Sequence, residues 1–383
     1  MKILLIGEYS NLHNSLKLGL IAKGHTVTLA SAEDGFKSFN SDFKFKDKNL
    51  KSTPVFLSKL FKLLFKYYFS FYAKSIRFEF YKKHFKEYDV IQLINQHAIG
   101  GIPLIERKQI NFLKKHNKSM FLLSCGDDTY SLNYYKSQNS LKYSILTPLK
   151  ENKKLKKEYE STLRYYDKEY IKLAEQIHLT CDGIIASDID YHIPLKNNPK
   201  YLGMIPNPVA LNKLNVKQER GSKTTILLGI NTTSYHKKGI GYFERALEKI
   251  KEKHPNVIIK KTKNLPFDEY IQELNNTDIL LDQVYGYDQG YNALEAMALG
   301  KVVFTGAEKE FLDYYNVKED EVAINALPDV NHLVEKLTHL IQHPELIKKI
   351  GANAKEFVKK HHEVTMIAQK YIETWTSATR LSE

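Results

Sequence analysis

The chain has 383 residues, a formal net charge of +13 at pH 7 and a sequence pI of about 9.2, which points to acidic partners: phosphorylated small molecules, anionic lipid or nucleic acid. A hydrophobic share of 43% can fill sizeable cores and excludes a disordered chain, and the length suggests two domains. The two cysteines, Cys125 and Cys181, exclude a disulfide scaffold or a thiolate metal cluster and fit a reducing compartment.

The opening MKILLIGEYS holds too short an apolar run for a signal peptide, and no stretch reaches the roughly 18 uninterrupted apolar residues of a spanning helix. A cytoplasmic or cytoplasm-facing protein is the expectation. Lys2 to Ile6 reads as a buried strand, followed by the loop Gly7-Glu8-Tyr9-Ser10. Leu12, Leu16 and Leu20 lie four apart on one helix face, Gly24 ends that helix, and His25 to Ala30 is the next strand. This is a βαβ opening of Rossmann type without the GxGxxG fingerprint, so a dinucleotide cofactor is disfavoured.

Residues Val55 to Lys86 carry Lys59, Lys62, Lys66, Lys74, Arg77, Lys82, Lys83 and Lys86 against a single acid, Glu79, with many interleaved aromatics. A basic amphipathic helix with aromatic bulk suits an anionic membrane surface; an ordinary helix with aromatics inward and lysines solvated is the plainer alternative. Single-stranded nucleic acid ranks last, because no recognition motif accompanies the segment.

Tyr88 to Ile94 is a buried strand, and Asn95, Gln96 and His97 follow where a parallel strand's C-terminal end meets ligands. Ser119 to Leu123 is another strand, ending in Ser124-Cys125-Gly126-Asp127-Asp128. Leu149 to Gln176, rich in Lys, Glu and Tyr, reads as one long solvated helix. Cys181 to Ser187 is a strand, and Ile205-Pro206-Asn207-Pro208-Val209 is a stiff turn suited to a hinge. Thr224 to Gly229 opens a second α/β half, with the loop Asn231 to Gly239 and a helix over Ile240 to Lys251. Asn256 to Lys260 is a strand and Tyr270 to Leu274 a helix.

The most informative stretch is Ile279 to Gly306. Ile279-Leu280-Leu281 is a short parallel-type strand, Tyr285 to Gly290 is loop chemistry, and Asn292 to Leu299 is a helix that Gly300 terminates before the strand Val302-Val303-Phe304. A helix opening on a glycine loop offers free N–H groups and a positive dipole end to an anion. Glu295, read as lying in its first turn, can accept two hydroxyl protons from a sugar ring. Further on, Glu321 to Ile324 is a strand, and Asn331 to Gln342, Pro344 to His361 and Val364 to Trp375 are helices.

GYNALEAMALGKVV resembles the donor-binding signature of retaining GT-B glycosyltransferases, with Gly290, Leu294, Glu295, Ala296, Met297, Ala298, Gly300 and Val302 in matching order. The resemblance implies two Rossmann-like domains facing a cleft. Residues 1–205 would bind the acceptor, joined by a C-terminal helix at 364–383 that crosses back. Residues 206–363 would bind a nucleotide-diphosphate sugar. It implies Glu295 on the ribose, the amides near Gly290, Tyr291 and Asn292 on the diphosphate, and Lys238-Gly239 as the diphosphate cation and its glycine, with Gly229 and His236 nearby. The family's first glutamate falls at Tyr287, where Asp288 is the candidate stand-in; its arginine falls at Thr233, its proline at Lys301 and an N-terminal-domain histidine at Cys125. On the acceptor side it implies Glu8, Tyr9, Ser10, His13 and His97, with Asp127 or Asp128 touching the acceptor hydroxyl.

The activity implied is sugar transfer to a saccharide or lipid-linked acceptor in envelope polysaccharide or glycoconjugate synthesis, with retention, without a metal and with no cofactor beyond the nucleotide sugar. No HExxH, CxxC, GxSxG or P-loop competes, and Asp188-Ile189-Asp190, which resembles a metal motif, falls just before the linker and is discounted. The replacements at Tyr287, Thr233 and Cys125 motivate an alternative, a non-catalytic homologue serving as a membrane-associated partner subunit.

Overall fold

The computed structural model describes residues 1–32, 39–45, 67–137, 141–211 and 223–380; part of the lysine- and aromatic-rich stretch, residues 55–66, lies outside these. The chain divides into two compact units. The first comprises Met1–Tyr134, Ser161–Pro208 and Val364–Glu383; the second comprises Tyr135–Glu160 and Val209–Glu363.

The first unit holds β1 (Lys2–Ile6), β2 (Thr26–Ser31), β3 (Phe43–Lys44), β4 (Val90–Leu93), β5 (Ser119–Ser124), β6 (Gly183–Ala186) and β7 (Tyr201–Met204). They form one sheet in the order β3-β2-β1-β4-β5-β6-β7, parallel throughout. Its central strands are apolar along their length and almost wholly buried, because crossover helices cover both faces of a parallel sheet. The second unit holds β8 (Thr225–Ile230), β9 (Ile258–Lys263), β10 (Ile279–Leu281), β11 (Val302–Thr305) and β12 (Ile324–Asn325). These pair in parallel in the order β12-β11-β10-β8-β9.

The last helix, Val364–Arg380, belongs to the first unit and packs on Leu12–Ala22. Gly19 permits this approach, since a Cβ there would stand 2.1 Å from the Val364 carbonyl oxygen. Trp375 is fully buried and donates its indole N–H to Gln92 Oε1 at 3.0 Å, anchoring the helix on β4.

Two sequence expectations meet a different outcome. Leu149 to Gln176 is not one solvated helix but a broken path: Thr147–Glu151, two short 3-10 turns, Glu160–Leu163, and a helix over Lys168–Thr180. Asn152 and Asp167 adopt extended backbone and interrupt it, while Leu155, Tyr159, Thr162 and Tyr165 are buried, so the segment wraps apolar surface instead of presenting one wet face. Tyr135–Glu160 groups with the second unit rather than with the continuous 1–205 stretch. Lys142 and Tyr143 explain this, since both bond Glu308 of that unit.

Candidate functional site

In a parallel sheet, ligands meet the C-terminal edge of the strands. On that edge of the second unit the centre is Asp282, directly after β10. Its N–H donates to Phe304 O at 2.9 Å, and its side chain is fully buried. Lys238 Nζ reaches Oδ1 at 2.7 Å, Asn292 Nδ2 donates to the same oxygen at 2.8 Å, and Thr305 Oγ1 donates to Oδ2 at 3.3 Å. Thus one carboxylate ties the loop after β8, the strand β11 and the start of the helix Tyr291–Ala298. The lysine head stays 27% exposed, which leaves cationic surface for a further anion.

Local sequence explains the placement. Gly239 has φ +65, and a Cβ there would lie 2.2 Å from Val284 Cγ2, so only glycine brings the Lys238 carbonyl to the Val284 N–H at 3.1 Å. Gly229, near the end of β8, lies against the ring of Tyr270, on the helix Phe267–Asn275; a Cβ would stand 2.8 Å from Cε2. Gly290 caps the helix Tyr291–Ala298 in extended conformation, and the space where its Cβ would lie is open. The first-turn N–H groups of that helix have no intrahelical acceptors. The helix begins at Tyr291, so Glu295 sits one turn in rather than in the first turn; it is buried.

The other expected residues are placed differently. Asp288 Oδ1 accepts from Gln289 N–H at 2.6 Å, closing the loop on itself, and Gln289 Nε2 donates to Gly306 O at 2.8 Å. His236 Nε2 lies 3.3 Å from Glu158 Oε2, and Lys237 Nζ stands over the Tyr159 ring, so this pair faces the 135–160 segment. Thr233 donates through N–H and Oγ1 to Asn231 Oδ1 within a 3-10 turn. Tyr287 is buried and its Oη accepts from Lys142 N–H at 2.8 Å. Lys301 is buried and donates to Asn275 O at 2.7 Å.

A second buried carboxylate, Glu308, accepts from Lys142 Nζ at 2.8 Å, Tyr143 Oη at 2.5 Å and Asn325 Nδ2 at 3.0 Å, and its N–H donates to Tyr287 O. Burial alone would raise its pKa, but these three donors and the Lys142 charge outweigh burial and hold it below the ordinary glutamate value.

In the first unit the acceptor-side residues lie on the C-terminal edge of the adjacent strands β1, β4 and β5. Glu8 Oε2 accepts from Asn14 N–H at 2.9 Å and Asn14 Nδ2 at 2.7 Å, bracing the start of the helix Leu12–Ala22. Ser10 and Asn11 take left-handed backbone, with φ 51 and 75. His13 is fully buried; burial outweighs its bond to Gly7 O and pushes its pKa down to about 3, so the neutral ring donates through Nδ1 at 2.8 Å. Tyr9 lies under Gly126. His97 Nδ1 lies 2.9 Å from Oε2 of buried Glu106, its ring between Phe71 and Tyr170. Glu106 is itself fixed by the N–H groups of Ile99 and Gly101.

After β5, Asp127 is half-buried and accepts from Thr162 Oγ1 at 2.5 Å. Asp128 is buried; it accepts from Ser124 Oγ, Ser131 N–H and Ser131 Oγ at 2.6, 2.7 and 3.2 Å, and burial raises its pKa despite these bonds. It fastens the start of the helix Thr129–Lys136.

A family model described as "Glycosyl transferase-like" matches residues 234–373, the stretch that contains Lys238, Asp282 and the helix Tyr291–Ala298. The full chain superposes on a sucrose-phosphate synthase from Thermosynechococcus elongatus, with TM-score 0.60, 13% identity and 98% of each chain covered. It superposes on HepE from Anabaena in complex with UDP and glucose, with TM-score 0.57, 13% identity and 98% and 99% covered. The chain has the GT-B fold, and its residues 234–373 are similar to a glycosyl transferase family.

This GT-B chain also resembles UDP-GlcNAc 2-epimerase from Neisseria meningitidis bound to UDP-GlcNAc, with TM-score 0.54, 13% identity and 98% and 100% covered, so the fold alone does not name a reaction. In sequence, trehalose synthase from Pyrococcus horikoshii is 29% identical over 136 residues, and that stretch spans 36% of the chain and 32% of the relative. Sequence reasoning missed Asp282, Glu308 and Tyr270 in this GT-B chain. Asp282 follows a strand end, the one signal that could have drawn attention to it; nothing local marks the other two.

Proposed function

We propose that the chain is a glycosyltransferase that moves a sugar from a nucleoside-diphosphate sugar to a saccharide or lipid-linked acceptor, with retention, in envelope polysaccharide or glycoconjugate synthesis. The observation that carries this reading is the triad Lys238–Asp282–Asn292, which sets a partly exposed ammonium beside a helix N-terminus. In this reading Lys238 and the first-turn amides at Tyr291 and Asn292 take the charge that grows on the diphosphate as the sugar C1–oxygen bond breaks. That charge stabilisation comes from the protein, so no metal is required. Glu295 accepts from the ribose hydroxyls, with Gly290 giving the nucleotide close backbone approach, while Gly229 makes room for the Tyr270 ring. Asp288 and His236 join the site only by releasing their present partners.

The acceptor hydroxyl is received by Tyr9, Ser10 and Asp127, whereas Glu8, His13 and His97 are buried and held by contacts within the fold. Asp127 suits that contact better than Asp128, whose oxygens are spent on a helix start.

UDP is the first nucleotide to try, because HepE is crystallised with it. Thermal shift with UDP, GDP, ADP and CMP on the wild type and on Glu295→Ala tests the site. One diphosphate should raise the melting temperature, and the variant should lose that rise. No shift with any of them transfers weight to the non-catalytic partner reading, which Tyr287 in place of a glutamate favours.

The helix Phe69–Tyr81 supports peripheral membrane contact. It buries Ser75 and Phe78 and turns Phe69, Ile76 and Phe80 outward, the last two 67% and 72% exposed, with exposed Lys82, Lys83 and Lys86 just beyond. Among the described residues no helix is long and apolar enough to cross a membrane. Sedimentation with phosphatidylglycerol vesicles should pull down the wild type and not Ile76→Glu/Phe80→Glu; equal pull-down of both refutes the contact.

A further inference from the structure

Tyr270 is a half-buried side chain with a buried hydroxyl that neither the fold nor the proposed chemistry has used. Its ring leans on Gly229, so close that any larger residue there would collide with it. Its Oη is buried and its proton meets no acceptor. Asn292 is its hydrogen-bonding neighbour on the donor side, which pulls the pKa down, but burial first, then the charges of Asp282 and Glu295, push it upward, so the phenol keeps its proton. The two strongest acceptors and donors nearby are otherwise engaged: Asn292 Nδ2 donates to Asp282, and Asp282 also receives Lys238 and Thr305.

An O–H held in a buried position with no acceptor costs free energy, and such groups in native proteins generally meet a partner from outside the chain. Two residues around this one are those that the proposed donor site assigns to the diphosphate (Asn292) and to the ribose (Glu295). A phenol also fits that place electrostatically: it brings a donor without adding a charge next to two carboxylates.

We propose that Tyr270 is a further ligand-binding residue of the donor site, donating its hydroxyl proton to an oxygen of the ribose–diphosphate part of a bound nucleotide. This rests on the donor-site reading above and deepens it. No bond is made or broken by Tyr270, and its contribution is affinity and position.

The test is isothermal titration of the full chain with UDP, UMP and uridine, comparing wild type with Tyr270→Phe, together with thermal melting of both without ligand. The phenylalanine variant keeps the ring against Gly229 and removes only the hydroxyl. Its melting temperature should hold or rise, while its Kd for UDP rises about tenfold, the scale of one hydrogen bond to a charged or hydroxyl oxygen. A loss shared by UDP, UMP and uridine places the contact on the ribose; a loss confined to the phosphorylated ligands places it on phosphate. Equal UDP affinity in both proteins overturns the proposal and leaves the donor site standing. A lower melting temperature with unchanged affinity also overturns it, by making the hydroxyl a structural group. A wild type that binds no nucleoside diphosphate overturns the donor-site reading and this inference with it.

Discussion

The C-terminal edges of the two sheets carry similar residues and use them in opposite ways. In the first unit the polar side chains are largely spent on the fold: Glu8 braces a helix start, His13 holds the turn at Gly7, and Asp128 fastens the helix after β5. In the second unit Asp282 is likewise buried, yet its partners, Lys238 and Asn292, sit where an anion can reach them. The difference teaches that residue type and strand-end position nominate a site, while the state of the lone pairs decides what remains for a ligand. A buried carboxylate with every oxygen occupied is architecture; a buried carboxylate that holds up an exposed cation is architecture in the service of binding.

The largest effect should come from Asp282→Ala. It strips Lys238, Asn292 and Thr305 of their shared acceptor, and losing these hydrogen bonds, one of them charged, costs about 1–3 kcal/mol. Urea unfolding should show that loss, and nucleoside diphosphate binding should vanish with it. Retained stability and binding would show that the second edge does not hang on this carboxylate.

The first edge should reveal itself through pH. His13 has its folded pKa lowered to about 3 from 6.5, so the unfolded chain binds the proton more readily. The stabilising neutral form is complete above pH 6.5, and stability falls as pH drops from there toward 3, by several kcal/mol over the window. Denaturant midpoints measured from pH 7 to pH 4 should slope for the wild type and flatten for His13→Gln. Parallel curves would break the assignment. Glu308, with its folded pKa lowered, adds stability above pH 4.5 that is lost as pH falls through its folded value. It therefore steepens the lower part of the histidine window, below pH 4.5.

The smallest effect belongs to Asp128→Asn. Losing the buried bonds to Ser124 and Ser131 should cost about 1–2 kcal/mol at low pH. Because burial raises the Asp128 pKa, its contribution is complete below pH 3.8 and declines as pH rises through the folded value. The deficit of the variant should thus be smaller at pH 7 than at pH 3. If stability does not change at either pH, the oxygens of Asp128 are not needed for the helix start and the contrast between the edges softens.

Much of the second edge was legible beforehand, because helix and strand signals there are local. Gly239 and Gly290 stand where loops meet helices, and the helix Tyr291–Ala298 follows from its strong helix formers. Glu308 was not legible: it lies beyond β11 and acquires meaning only when Lys142, Tyr143 and Asn325 converge on it. The 149–176 segment misled for a related reason. Its lysines and glutamates suggest a wet helix, but its tyrosines and Leu155 are claimed by surfaces distant in sequence.

By itself, then, the chain's order of apolar runs, glycines and breaks determined two parallel α/β units and a last helix, since such strands are buried on both faces and announce themselves locally. Only the tertiary structure decided that Tyr135–Glu160 joins the second unit, that Asp282 is the hub of its edge and that Tyr270 keeps an unspent proton. Those outcomes depend on which side chains meet across long sequence separations, and no local pattern encodes a meeting.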